Sequence, residues 1–381
     1  MSDASVITEA VREALGKVND PEIRRPITEL GMVDTIDVDG STVNVRILLT
    51  IAACPLKDQL LRDVTLAAQT VEGVVDVNVE FGTMTDEQRK DLQTKLRGSS
   101  GAGSEPVIPF NQPGCRTRVY AVASGKGGVG KSSMTVNLAA ALAKRGLSVG
   151  VADADIYGHS VPRMLGSEEV PTQVEDMIMP PQAHGVKVIS IGMFTRGNAA
   201  VVWRGPMLHR ALQQFLADVY WGELDVLLLD LPPGTGDIAI SVAQLLPGAE
   251  LLVVTTPQQA AAEVAERAGA IATQTHQRLA GVVENMSWMT MPDGTRTEPF
   301  GAGGGQQVSD ALTRDLGANV PLLGQVPLDP TLREASDNGE PIVLSNPESE
   351  VAKAIDAVAE KLAVRRESLA GKPLGLSPAG R

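Results

Sequence analysis

At 381 residues, with 43% hydrophobic and 21% charged side chains, the chain has ordinary globular composition and room for roughly two or three domains of about 150 residues each. Its 46 acidic against 33 basic residues give a net charge of −13, which repels phosphate backbones and excludes nucleic acid as an expected partner. Only 3% of residues are aromatic, so base-stacking platforms are not expected either.

The N-terminal MSDASVITEA lacks the basic flank and apolar core of a secretory signal. No run of about 18 uncharged apolar residues predicts a membrane span. Two cysteines, Cys54 and Cys115, are too few for a disulfide framework, so a reducing cytoplasm is the expected compartment. Ile7, Val11, Leu15 and Val18 recur at helical spacing. Val33–Val38 and Thr42–Thr50 read as strands joined at Asp39-Gly40, a hairpin turn signal. Leu56, Leu60, Leu61 and Val64 mark a second amphipathic helix, and Val74–Phe81 alternates as a strand. Thr85 with Gln88 has the pattern of a capping box opening a third helix. Residues 1–97 are therefore expected to form a small mixed α/β domain. The Gly-, Ser- and Pro-containing stretch 98–116 predicts a flexible linker, 117–366 the main domain and 367–381 a frayed tail.

In the main domain, short runs apolar on successive residues alternate with helical patterns. The runs are Val119–Ala123, Ser148–Ala152, Val186–Ile191, Val226–Leu229, Leu251–Thr255 and Val282–Val283. Such strands are buried on both faces, which predicts an α/β fold with a mostly parallel sheet flanked by helices and ligands at the strands' carboxyl ends. The helical pattern of Glu350–Arg366 puts Val351, Ile355, Val358 and Leu362 on one face. Its polar face carries mixed charge and no aromatic, so packing on the sheet is expected rather than membrane binding.

The strongest motif is Gly125-Lys-Gly-Gly-Val-Gly-Lys131-Ser132, which fits G-x-x-x-x-G-K-[ST] between a strand and a helix. Glycines let backbone N–H groups close around phosphate oxygens, and the helix N-terminus adds positive potential. Gly125, Lys126, Gly127, Gly128, Val129, Gly130, Lys131, Ser132 and Ser133 are thus expected to bind nucleotide. Lys131 is placed to neutralise the β- and γ-phosphates and Ser132 to ligate Mg2+. Asp153 and Asp155, on alternate positions after the second strand, are placed to face one site. Asp230 ends the apolar run Leu227–Leu229, the Walker B arrangement for holding Mg2+ directly or through water. The Pro-Pro-Gly-Thr-Gly that follows Leu231 has glycines that permit rearrangement. Asn285 follows another buried run, and its amide can pair with a base edge as donor and acceptor.

GKGGVGKS resembles the deviant Walker A loop of the dimerising ATPases related to MinD and ParA. In order, GKGGVGKSS, DADIYGHSVPRMLG, WRGPML, DLPPGTGD, VTTPQ, ENMSW and FGAGGG resemble the Mrp/ApbC-type iron–sulfur cluster carrier ATPases. DPEIRRPITELGMV and Cys54-Pro55 resemble the small iron–sulfur-assembly domain that often precedes them. The resemblance implies an ATP-hydrolysing homodimer that binds or transfers iron–sulfur clusters, with apoprotein clients and assembly factors as partners. It implies that Lys126 reaches the partner subunit's nucleotide, that Asp155 orients the attacking water, that Asp153 sits near Mg2+ and that Asn285 recognises adenine. It also implies a Cys-x-x-Cys between ENMS and FGxGGG, but Trp288–Glu298 contains no cysteine. Methionine and aspartate do not replace those thiolates. Cys54, ahead of a predicted helix whose N-terminus favours thiolate, is then the candidate iron–sulfur ligand. A positioning switch acting at a surface and a nucleotide-binding scaffold are the alternatives, and the acidic balance argues against the first.

Overall fold

The computed structural model describes residues 3–50, 56–97, 107–155, 158–194, 205–234, 237–258 and 261–363. Cys54 and the 367–381 tail lie outside the described residues. The N-terminal elements are α1 (Asp3–Leu15), β1 (Val33–Asp39), β2 (Thr42–Leu49), α2 (Lys57–Gln69), β3 (Asp76–Thr83) and α3 (Asp86–Arg97). There follow β4 (Arg118–Ala123), α4 (Lys131–Lys144), β5 (Val149–Asp153), α5 (Val161–Met164), β6 (Thr172–Val174), β7 (Met177–Met179), β8 (Gln182–Ala183) and β9 (Val186–Ser190). Next come α6 (Gly205–Ala217), β10 (Val226–Asp230), α7 (Asp237–Leu245), β11 (Glu250–Thr255), α8 (Ala261–Thr275) and β12 (Arg278–Asn285). The chain closes with β13 (Met289–Thr290), β14 (Arg296–Thr297), α9 (Gly304–Leu316), β15 (Leu322–Val326), α10 (Pro330–Asp337), α11 (Ile342–Ser345) and α12 (Glu350–Leu362). Contacts gather these into two compact units, one of residues 1–105, 171–180 and 218–222, the other of the remainder.

In the first unit, β1 and β2 pair antiparallel around Gly40, whose φ of +61° suits the tight turn. β3 joins β2 in parallel after the α2 crossover. The capping box forms: Gln88 N–H donates to Thr85 Oγ1 at 3.3 Å and Thr85 N–H to Gln88 Oε1 at 2.8 Å. Val11, Leu15, Val43, Val45, Ile47 and Val64 fill the core. Val174, Met177 and Met179 of the β6–β7 hairpin share that core. Three-residue strands cannot bury such side chains alone, which is why the hairpin joins this unit although it follows α5 in the chain. No periodicity along residues 171–180 foretells it.

The second unit is built on an eight-stranded sheet of order β15-β12-β11-β4-β10-β5-β9-β8. All pairs are parallel except β8 with β9. β4 and the strands beside it are buried on both faces, as their unbroken apolar runs predict. The chain leaves β4 through α4 to β5 and later returns with β10 between them, so the carboxyl ends of β4, β10 and β5 lie side by side. This is the switch point at which open α/β sheets place ligands. α12 lays Val351, Ile355, Val358 and Leu362 inward. Gly324 of β15 leaves room for Val358, since a Cβ there would stand 2.5 Å from its Cγ2. Of the expected linker, residues 107–116 are described and held by packing: Ile108 is buried and Asn111 Nδ2 donates to the Leu245 carbonyl at 2.6 Å.

Candidate functional site

The loop between β4 and α4 turns on two residues with left-handed backbone, Gly128 at φ +80° and Gly130 at φ +81°. Nothing lies within 4 Å of where a Cβ on Gly128 would point, so the loop is open at that position. A Cβ on Gly130 would stand 2.3 Å from Asn285 Nδ2, so only glycine allows Asn285 to close on the loop. Arg267 of α8 donates to the Gly125 carbonyl at 2.9 Å and fixes where the loop begins. Lys126 is half-buried and donates to Gln258 Oε1. The backbone carbonyl of Ser133 accepts from Asn137 Nδ2 at 2.9 Å inside α4.

Asp230 is the hub. Its Oδ2 lies 2.8 Å from Lys131 Nζ and accepts from Ser132 Oγ at 2.6 Å, and its Oδ1 accepts from Thr135 Oγ1 at 2.7 Å. Both charged members of the pair are buried. Asp153 is the register partner of Asp230 across β5 and β10. Its Oδ1 accepts from Asp155 N–H at 3.1 Å and its Oδ2 from Ser190 Oγ at 3.0 Å. Burial, reinforced by the neighbouring Asp230, pushes the Asp153 carboxyl up to about 7. Asp155 Oδ1 accepts the Gly158 N–H at 3.1 Å.

Across the loop, Asn285 Nδ2 donates to the Val129 carbonyl at 2.9 Å, while its buried Oδ1 has no hydrogen-bond partner among the described residues. A buried acceptor left without a donor is costly, and a base amino group would satisfy it. An open glycine turn, a buried lysine, a hydroxyl–carboxylate pair and this acceptor fit a nucleotide with a divalent cation. Lys131, Ser132 and Asp153 thus gather at Asp230, while Asp155 meets Asp153 through its backbone N–H and turns its carboxyl group to the Gly158 N–H, with Asn285 on the loop's far side. Sequence reasoning missed Thr135, Ser190 and Arg267. Thr135 stands one helical turn after Lys131, a spacing that would have placed it on the same face. Ser190 and Arg267 carry no local signal.

The cysteine-free interval Trp288–Glu298 is a short hairpin of β13 and β14. Arg296 stacks over Trp288 at 4.5 Å and pairs with Glu350 Oε1 at 2.5 Å. Glu350 also accepts from Thr290 Oγ1 at 2.8 Å and from Trp288 Nε1 at 3.3 Å. Polar pins from the start of α12 hold the hairpin in place.

Residues 116–363 match the family model of the NUBPL iron-transfer P-loop NTPase. The chain belongs to that family. Residues 8–81 match a model of iron-sulfur cluster assembly proteins. This P-loop NTPase is 66% identical over 374 residues to the iron-sulfur cluster carrier protein of Mycobacterium tuberculosis (strain ATCC 25618 / H37Rv), covering 98% of this chain and 97% of the relative. It is 44% identical over 360 residues to the iron-sulfur cluster carrier protein of Deinococcus radiodurans, covering 94% and 95%. Among solved structures, the nucleotide-binding protein of Archaeoglobus fulgidus in complex with ADP aligns at TM-score 0.52 and 34% identity, covering 70% of this chain and 95% of that one. No helix among the described residues is long and apolar enough to cross a membrane.

Proposed function

We propose that this P-loop NTPase is a homodimeric, cytoplasmic ATPase that assists the assembly of iron–sulfur clusters or their delivery to apoproteins. The observation that carries the reading is the convergence of Lys131, Ser132, Thr135 and Asp153 on Asp230, beside the open glycine turn, in a chain of an iron-transfer family. Lys131 and the N–H groups at the start of α4 bind the β- and γ-phosphates. Ser132 and Asp230 would hold Mg2+, with Asp153 through water, and the ion would neutralise charge on the phosphate oxygens. Asp155, held by the Gly158 N–H, orients the attacking water. Asn285 offers its free Oδ1 to adenine, and Lys126, whose present partner is a neutral amide, is able to leave it for the nucleotide of a second subunit.

The iron–sulfur cluster is cargo. With no cysteine in Trp288–Glu298, four thiolates arise in a dimer only by pooling Cys54 and Cys115 from both chains. Four-thiolate carriage therefore needs both Cys54 and Cys115. Steady-state turnover of MgATP tests the enzymatic half of the reading, and wild-type protein that binds but never hydrolyses would overturn it. Anaerobic reconstitution with iron and sulfide tests the other half. Iron retained by wild type and lost by Cys54→Ala supports carriage, and equal iron in both, or none in either, removes it.

A further inference from the structure

The string FGAGGG and the residue before Asn285 have no part in the site described so far. The structure brings them together. Glu284, the penultimate residue of β12, is fully buried, yet its carboxyl group is surrounded by donors. Oε1 accepts from Ser287 Oγ at 2.8 Å and from Gln325 Nε2 of the neighbouring strand β15 at 2.7 Å. Oε2 accepts the Gly305 N–H in the first turn of α9 at 2.5 Å. A side chain at Gly305 is impossible without movement, because its Cβ would stand 2.6 Å from the Glu284 Cβ. Gly304 is equally confined, its Cβ position 2.7 Å from the Pro257 carbonyl oxygen. The two glycines are thus what lets the N-terminus of α9 close on the carboxyl group. Between Glu284 and Ser287 the chain bends at Met286, whose φ of +59° is unfavourable for a side-chain-bearing residue. Three donors converging on one buried acceptor pair fix that bend, and Asn285 is the residue it presents to the Val129 carbonyl and the glycine turn.

We infer that Glu284 is the positioning residue for nucleotide-base selection: by tying the Asn285 turn to β15 and to the glycine-rich start of α9, it holds the Asn285 amide where a base edge meets it. Glu284 does not touch nucleotide. It acts through Asn285, so the inference rests on the adenine-recognising role proposed for that residue.

The test measures ATP and GTP dissociation constants, with Mg2+, for full-length wild type and variants. Asn285→Ala comes first. It should weaken ATP about tenfold and GTP by less than twofold, and an unchanged ATP-to-GTP ratio would sink the adenine reading itself. Glu284→Ala should reproduce the Asn285→Ala pattern. Glu284→Gln should stay within about twofold of wild type, because its oxygen can accept the Gly305 N–H while its amino group donates to Ser287 Oγ and to a flipped Gln325 amide. If Asn285→Ala changes the ratio and Glu284→Ala leaves it as in wild type, or lowers ATP and GTP affinity equally, the inference is overturned while the adenine reading stands. Should Glu284→Ala not fold, Gln325→Leu removes one donor from the cluster. That variant should lower ATP affinity alone by two- to fivefold, and an unaltered ratio there counts equally against the inference.

Discussion

The Thr135 hydroxyl donates to Asp230 Oδ1 at 2.7 Å, so the second turn of α4 and the end of β10 are joined by a bond that no nucleotide motif specifies. With Ser132 on the other carboxyl oxygen, the Asp230 side chain has one available orientation. Thr135→Val preserves shape and removes the donor. The expected cost is about 1–2 kcal/mol of stability, read by urea unfolding, with a several-fold rise in the Mg2+ concentration needed for half-maximal ATP turnover. Unchanged magnesium dependence would show that Asp230 needs no such brace.

Lys131→Ala should abolish nucleotide binding and also destabilise the protein, because it strands a buried carboxyl group. Breaking one side of a buried pair costs about 3–5 kcal/mol. Adding Asp230→Asn to that variant should recover part of the stability and none of the binding. Calorimetric titration with MgATP and denaturant unfolding on the same samples separate the two effects.

Lys126 faces a different expectation. Its contact is the neutral side-chain amide of Gln258, so losing it strands no charge. Lys126→Ala should leave MgATP affinity within about twofold while ATP turnover loses its dependence on protein concentration. A variant whose turnover still rises with concentration as in wild type would remove Lys126 from subunit coupling.

The Asp153 carboxyl is raised by burial and by Asp230 to about 7. The folded protein therefore binds a proton that the unfolded chain releases near pH 4. That contribution to stability is complete below about pH 4 and is lost as pH rises through 7. Without nucleotide and magnesium, thermal unfolding temperature should fall across this window, and Asp153→Asn should flatten the fall. At pH 8 the Asn variant should be the more stable, with about 4 kcal/mol as the ceiling. Parallel profiles for the two proteins would rule the explanation out.

Much of the site was legible because its chemistry is written locally. The glycine turn, Lys131 and Ser132 lie within eight consecutive residues, and the carboxyl residues sit where buried apolar runs stop. Thr135 was readable from helical spacing, but a threonine on a helix bonds its own backbone as readily, and here the Lys131 carbonyl, 3.0 Å from the hydroxyl, competes with Asp230 for its single proton. The β15 strand escaped notice because Leu322–Val326 is short and interrupted by Gly324 and Gln325, and its partner β12 determines it.

By itself the sequence determined the parallel α/β architecture, the phosphate loop and the identities of its carboxyl residues, since strand burial and backbone-closing glycines leave marks on neighbouring positions. Only the tertiary structure decided that Ser190 braces Asp153, that Glu284 gathers Ser287, Gly305 and Gln325, and that the β6–β7 hairpin shares the first unit's core. Apart from Glu284 with Ser287, three positions on, those bonds join residues far apart in the chain. A hydrogen bond or a packed methionine imposes no pattern along the chain between its two ends, so only folding brings the partners into view.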